Sequence, residues 1–152
     1  MSDLHDAAAV GALETQIDGW LAEFARDNPV VAAVDRGEGD EPRWYVRMRG
    51  EEKEYITIWL TLGQRTVRYE AYVMPAPEEN IEQVYENLLR RNQGLIGLHF
   101  AIGVEDAVFL RGDLPLAALT EPELDRVIGT LYATTEQCFQ GLLRVGFASR
   151  FR

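Results

Sequence analysis

The chain has 152 residues, of which 47% are hydrophobic and 26% charged, close to the averages for folded globular proteins. That length can bury a core without disulfide bonds, and the single cysteine excludes an internal disulfide framework. The formal net charge of −10 disfavours nucleic-acid phosphates as partners. We therefore expect one domain over residues 1–152, flexible at 1–6 and 148–152, with no nucleic-acid partner.

An amphipathic helix is predicted over residues 7–27. Apolar residues recur there at helical spacing, and Asn28-Pro29 ends the helix because a residue before proline is driven out of the α region. The first residues lack the basic region of a signal peptide, and no apolar run is long enough to cross a bilayer. These features predict a cytoplasmic protein with no membrane partner. Residues 30–34 form a short apolar run, either a brief strand or the exit of the helix, and 35–42 are typical of a solvated loop.

Residues 43–74 contain three runs of alternating apolar and polar residues joined by short glycine turns, which predict an antiparallel meander. Because successive strand side chains point to opposite faces, each run has one apolar set and one mixed set. The apolar set predicts the core face: Trp44, Val46, Met48, Ile56, Ile58, Leu60, Leu62, Val67, Tyr69, Ala71 and Val73.

The opposite face of the meander carries arginine, threonine and aromatic residues. Five of them form the first part of a candidate protein interface: Tyr45, Arg47, Trp59, Arg68 and Tyr72. Aromatic residues and arginine are enriched in protein interfaces, which favours a binding surface. Cross-strand pairing on a solvated sheet explains the same composition equally well.

A second amphipathic helix is predicted over residues 81–92, and it adds Tyr85, Arg90 and Arg91 to the candidate interface. The two arginines also suit the carbonyl end of the helix dipole, which is their alternative role. Residues 95–103 and 107–111 then alternate as a β-hairpin. The Arg-Gly-Asp tripeptide that follows, residues 111–113, is interpreted as a turn that leaves the second strand.

A long last helix is predicted to begin at Thr120, which forms a capping box with Glu123, and to continue to about residue 145. Cys138 falls on its apolar stripe, which predicts a buried, unreactive thiol. Gly129, Ala133 and Gly141 fall at intervals that could line one side of this helix, so that the first helix could approach closely.

No residue pattern predicts catalysis, a metal site or a cofactor. His5 and His99 have no partner that spacing identifies, and the chain lacks a nucleophile elbow, a P-loop and a dinucleotide-binding glycine pattern. We therefore predict no catalytic, metal-binding or cofactor-binding residue.

The predicted order is helix, three strands, helix, two strands, helix within one α+β domain. We expect a five-stranded antiparallel sheet with the long N- and C-terminal helices packed on one face. This order resembles the type III secretion chaperone fold. Four segments resemble the YbjN-domain family, small bacterial proteins labelled as sensory transduction regulators: 74–80 (MPAPEEN), 84–92 (VYENLLRRN), 98–102 (LHFAI) and 114–120 (LPLAALT).

The resemblance implies a non-enzymatic protein, and the family offers no catalytic residues to carry over. Secretion chaperones of similar fold bind extended segments of client proteins and commonly form homodimers. We therefore expect a chaperone-like or regulatory module that binds a protein partner and forms a homodimer. The alternative is a small-molecule-binding protein or enzyme with a pocket between the sheet and its helices.

Overall fold

Helix α1 (Ala7–Asp27) begins where the Asp6 side chain accepts a hydrogen bond from the Ala9 backbone N–H, in a computed structural model that describes residues 4–151. The helix ends at Asn28, as the proline that follows predicts. The other elements are, in order, β1 (Val31–Arg36), β2 (Arg43–Arg49), β3 (Tyr55–Leu62), β4 (Thr66–Met74), α2 (Ile81–Asn92), β5 (His99–Ile102), β6 (Val108–Pro115) and α3 (Glu121–Gly146). Thr120 caps α3 by accepting a hydrogen bond from the Glu123 N–H, as predicted, but the Glu123 carboxylate pairs with Arg126 and does not complete the predicted capping box.

Within residues 4–151, six strands form one antiparallel sheet in the order β1-β2-β3-β4-β6-β5. The core lies between one face of this sheet and the helices. α1 packs on β1, α3 on β3 and β4, and α2 on α3 and β5. The predicted core face is buried throughout, with at most 4% of any of its eleven residues exposed. These residues pack with Ile17 and Leu21 of α1 and with the apolar stripe of α3 in one cluster.

The sheet has one more strand than the five we expected from the sequence. The short apolar run after α1 is β1, an edge strand that pairs with β2. Its alternation is hidden in the sequence because the register shifts between Val31 and Ala33, where a bulge lets two residues oppose one. Hydrogen bonds from Arg49 N–H to Val30 O and from Gly37 N–H to Arg43 O hold its two ends.

The hairpin of β5 and β6 also differs from its predicted bounds. β5 is limited to His99–Ile102, because Gly97 before it has a positive φ of 78° and leaves the extended conformation. β6 continues to Pro115, so the Arg-Gly-Asp tripeptide lies inside a strand and the predicted turn there is wrong. Gly112 belongs there because the Tyr69 ring of β4 packs against its backbone, where a side chain would collide.

The turn between β2 and β3 is fixed by one carboxylate of α3. Glu136 accepts hydrogen bonds from the backbone N–H groups of Glu51, Glu52 and Lys53, at 2.7, 3.1 and 3.1 Å. The Lys53 amine beside it donates to the Tyr55 carbonyl, and burial lowers the pKa of that amine. This end of the sheet is therefore tied to α3.

The predicted flexible ends fall partly outside the described residues, at 1–3 and 152. Within the described range, the His5 N–H donates to the Gln64 carbonyl, and Ala148–Phe151 forms a 3₁₀ turn.

Gly129 and Gly141 do not bring α1 close, because a Cβ atom added at either position would meet nothing within 4 Å. We predict that Gly129→Ala or Gly141→Ala raises the free energy of unfolding by about 0.5–1 kcal/mol, since alanine loses less backbone entropy in a helix. Urea denaturation followed by circular dichroism measures the change. Gly112→Ala is the contrasting variant: its Cβ would lie 2.3 Å from the Gly97 carbonyl oxygen, and it should destabilise the fold. Equal midpoints for Gly129→Ala and Gly112→Ala would contradict this account.

Candidate functional site

Among residues 4–151, no α-helix packs on the second face of the sheet, which we call the open face. Of its described strand side chains, Thr61 and Phe109 are buried and the others are half-buried or exposed. Alternation and strand register place these residues on it: Ala33, Asp35, Arg43, Tyr45, Arg47, Arg49, Tyr55, Thr57, Trp59, Thr61, Thr66, Arg68, Glu70, Tyr72, His99, Ala101, Phe109, Arg111 and Asp113. The first five predicted interface residues therefore do share a surface.

Four aromatic rings form a continuous row across the open face. Tyr45 and Trp59 are cross-strand partners with ring centroids 6.1 Å apart, edge to face. Trp59 lies 6.0 Å from Phe109, which in turn contacts Tyr72 edge to face at 5.6 Å. These separations and angles are those of favourable aromatic pairs. Three of the rings, those of Tyr45, Trp59 and Tyr72, are half-buried, and the fourth, Phe109, is buried among them.

Phe109 is the centre of this row, and the sequence analysis did not assign it a face. It is 1% exposed because the turn at Gly103 lies directly over its ring. The sequence feature that could have placed Phe109 on the open face is the alternation of Phe109 and Arg111 with the core residues Val108 and Leu110.

Arginines lie among the aromatic rings and bond to neighbouring polar groups. The Arg47 guanidinium lies 3.9 Å from the centroid of the Tyr55 ring, a cation–π contact. The Arg111 guanidinium lies 5.0 Å from the Phe109 centroid and forms a 2.8 Å ion pair with Glu70. A planar guanidinium group can lie flat on a ring while its edge binds a carboxylate, a geometry that the lysine amine does not have.

Part of the open face is a concave polar trough of about 640 Å³, which we call the arginine trough. Its walls include Arg43, Arg68, Arg111 and His99, and Tyr69 reaches it past Gly112. The Tyr69 hydroxyl donates to the Gly97 carbonyl, and burial raises the pKa of that hydroxyl.

The remaining predicted interface residues, Tyr85, Arg90 and Arg91, lie on a different surface. They belong to α2, which packs with α3 over the core side of the sheet. Arg90 pairs with Glu86 at 3.3 Å, and Arg91 donates to Asn87 at 2.6 Å, so both arginines already have partners within the helix. The predicted interface is therefore two surfaces and not one.

Tyr85 lines an apolar groove of about 320 Å³ between α2 and β5, which we call the α2 groove; its other apolar walls are Leu88, Leu89, Phe100, Ala101 and Ile102. Asn92 blocks the free edge of β5 beside this groove. Its Oδ1 accepts a hydrogen bond from the Phe100 N–H at 2.6 Å, and its Nδ2 donates to the Phe100 carbonyl at 3.3 Å. Of eight large apolar side chains exposed among the described residues, five lie on α2, on β5 or next to β5: Ile81, Leu89, Ile96, Ile102 and Val104.

Among residues 4–151, no group of three or more His, Cys, Asp or Glu side chains is arranged to hold a metal ion. No helix in the same range is long and apolar enough to cross a membrane. Cys138 is 1% exposed, and burial raises the pKa of its thiol to about 11. It matches the buried thiol expected from its helical position.

Comparison with known proteins places this chain in the YbjN family. The family model, described as "Putative bacterial sensory transduction regulator", matches residues 15–144. Uncharacterized proteins of Mycobacterium bovis and Mycobacterium tuberculosis are each 38% identical over 111 residues, which are 73% of this chain and 61% of theirs. A protein of Mycobacterium leprae is 35% identical over 107 residues, 70% of this chain and 58% of its own. The match spans less than two thirds of each relative's length.

A solved structure shares the fold. A chain in the crystal structure of the ExsC–ExsE complex superposes with a TM-score of 0.59 at 21% identity, covering 86% of this chain and 96% of that chain. Identity at this level shows the fold alone. The family and the chaperone-like fold that the sequence resembles are thus confirmed, with six strands in place of the predicted five.

The environment of Cys138 predicts slow chemistry at its thiol. In the folded protein at pH 8, labelling by 5,5′-dithiobis(2-nitrobenzoate) should be at least about a hundredfold slower than in urea, because the thiolate is rare and buried. The absorbance of the released thionitrobenzoate measures the rate, and Cys138→Ala is the blank. Fast, complete labelling of the folded protein would contradict the buried, protonated state.

Proposed function

We propose that this chain is a non-enzymatic, chaperone-like binding module of the bacterial cytoplasm, which acts as a homodimer and holds a segment of a protein partner on its open face. The observation that carries the proposal is the row of four rings, interleaved with arginines, on a sheet face without a helical cover. The shared fold with a chain from a structure titled as a two-protein complex supports it by analogy.

The composition of the open face suits a protein partner. Tyr and Trp provide large contact areas with few rotatable bonds. Together with Arg they are the residue types that dominate binding energy at protein interfaces. Trp59 and Tyr72 are only half-buried, so a partner that covers them removes further apolar surface from water. A face meant only for water would not need them in a continuous row.

The alternative of a pocket between sheet and helices finds less support. The side chains in that layer are packed together, and the predicted core face is at most 4% exposed. The two grooves described above lie instead on the open face and along α2.

The α2 groove is the proposed homodimer surface. Glu82 and Glu86 lie in the first half of α2, and Arg90 and Arg91 lie in its last turn. If two copies of α2 pack antiparallel about a two-fold axis, the acidic half of each helix faces the basic end of the other. The exposed side chain of Leu89 would be covered in that arrangement.

The open-face proposal predicts which variant loses its partners. Arg47→Glu combined with Trp59→Ala should weaken partner binding at least about tenfold, because the rings and guanidinium groups supply most of the contact energy. The measurement is affinity capture from a lysate of the native host, compared by quantitative mass spectrometry. Arg144→Glu with Phe151→Ala is the matched control, since that arginine also lies over a ring, at 5.5 Å, on another surface. Identical captured sets for both folded variants would refute the placement.

The dimer surface is tested separately. The Leu89 side chain is 70% exposed in the single chain. Leu89→Asp should convert the dimer of two 17.2 kDa chains into a monomer, because dimer formation would bury the new carboxylate. Light scattering after size-exclusion chromatography gives the mass. Leu4→Asp, at an exposed leucine outside the groove, should leave it unchanged. A wild-type mass of 17.2 kDa at high concentration would exclude the homodimer.

A further inference from the structure

The open face differs in charge from the rest of the molecule. The whole chain has 15 basic and 25 acidic residues. The described open-face strand positions, in contrast, carry five arginines (Arg43, Arg47, Arg49, Arg68 and Arg111) and three carboxylates (Asp35, Glu70 and Asp113). Glu41 of the adjoining loop pairs with Arg68 and adds a fourth carboxylate, so this face carries five arginines against four carboxylates. It therefore attracts negatively charged groups more than the acidic remainder of the chain does.

The arginine trough already binds carboxylates of the chain itself. Arg111 pairs with Glu70 at 2.8 Å, and both are strand residues on the sheet. Arg68 pairs with Glu41 at 2.9 Å, but Glu41 belongs to the loop between β1 and β2. The side chains of that second pair are 58% and 48% exposed, so it is open to exchange with a carboxylate from outside.

Among the arginines of the trough, Arg43 has no acidic partner within the described part of the chain. Its Nε donates to the Thr61 hydroxyl at 3.2 Å. Among residues 4–151 no carboxylate lies within 4.0 Å of its guanidinium nitrogens. Thr61 connects Arg43 to Arg68, because it is the cross-strand partner of both. The two guanidinium groups thus flank one short stretch of the trough.

The aromatic row begins within reach of these arginines. Arg43 and Tyr45 are two residues apart on the same face of β2, a separation of about 6.5–7 Å. Alternate side chains of an extended peptide have the same spacing. An extended segment that lies on the open face over β2 can therefore present an acidic side chain to Arg43 and an apolar one to the rings of Tyr45 and Trp59.

We propose that the arginine trough binds an acidic, extended segment of the protein partner, whose carboxylates bind Arg43 and displace Glu41 from Arg68. This inference rests on the proposed function and adds the chemical class of the bound segment. Glu41 acts as an internal competitor for the same guanidinium group. Carboxylates suit the site because each can accept two hydrogen bonds from one arginine. Multiply charged phosphates suit it less, since Glu70 and Asp113 also line the trough and would repel them.

The test compares fluorescein-labelled peptides of sequence SEDWEDES and SQNWQNQS by fluorescence anisotropy, at low and at physiological ionic strength. The acidic peptide should bind at least about tenfold more tightly, with an advantage that falls as salt is added. Arg43→Gln and Arg68→Gln should each weaken its binding about threefold or more.

Glu41→Gln should strengthen binding of the acidic peptide about two- to fivefold, because it removes the competing carboxylate. Unfolding cannot produce a gain in affinity, so this variant tests the site even if an arginine variant is unstable. Arg126→Gln and Glu123→Gln are matched controls, since they break a 2.9 Å surface pair on α3 and should change nothing.

Equal affinity for the two peptides, or an unchanged affinity in Glu41→Gln, would overturn the inference. Binding of inorganic phosphate that depends on Arg43, without peptide binding, would overturn it in favour of a small-anion site. If Arg47→Glu with Trp59→Ala loses the captured partners while Arg43→Gln and Arg68→Gln retain them, the proposed function stands and the acidic segment does not.

Discussion

Burial of one complete face of the sheet under α1 and α3 is the constraint on which the other features depend. Strands with a period of two place every second side chain on that face, and in β2, β3 and β4 each of these side chains is buried. The one polar atom of Trp44 in this layer, its indole N–H, is satisfied by Asp18 of α1 at 2.8 Å. The described helices lie on this side of the sheet. The side chains of the opposite face therefore have to cover their apolar surface and pair their charges among themselves.

That second face is stabilised mainly by contacts between its own side chains. Phe109 is buried by neighbouring rings and by the Gly103 turn, and cation–π contacts and ion pairs cover much of what remains. The turn between β2 and β3 cannot shift along the sheet because Glu136 of α3 accepts three of its backbone N–H groups. The aromatic row is therefore held on a fixed frame and needs little ordering when a partner binds, which lowers the entropic cost of binding.

The sequence predicts a structural feature well when the residues that determine it are close together in the chain, and poorly when they are far apart. Strands β2 to β4 follow their own alternation, so residues 43–74 and their two faces were predictable. β1 was ambiguous because a bulge at Val31 and Ala33 breaks its period. Gly112 resembled a turn residue because its partner, the ring of Tyr69, is far along the chain. The predicted interface residues lie on two surfaces, because the amphipathic pattern of α2 does not determine which face of the sheet the helix covers.

The separation of the two surfaces has a mechanical consequence. A dimer formed through α2 and β5 would leave both open faces uncovered, because α2 lies over the core side of the sheet. Dimer formation and partner binding then need not compete, and a dimer can hold two segments or two parts of one partner. Where both parts belong to one chain, the second binds at a high effective concentration, so modest contacts at each trough suffice for tight binding. The protein is acidic overall, but its open faces carry more arginines than carboxylates. A partner with acidic segments would therefore be attracted to the open faces and oriented toward them before contact.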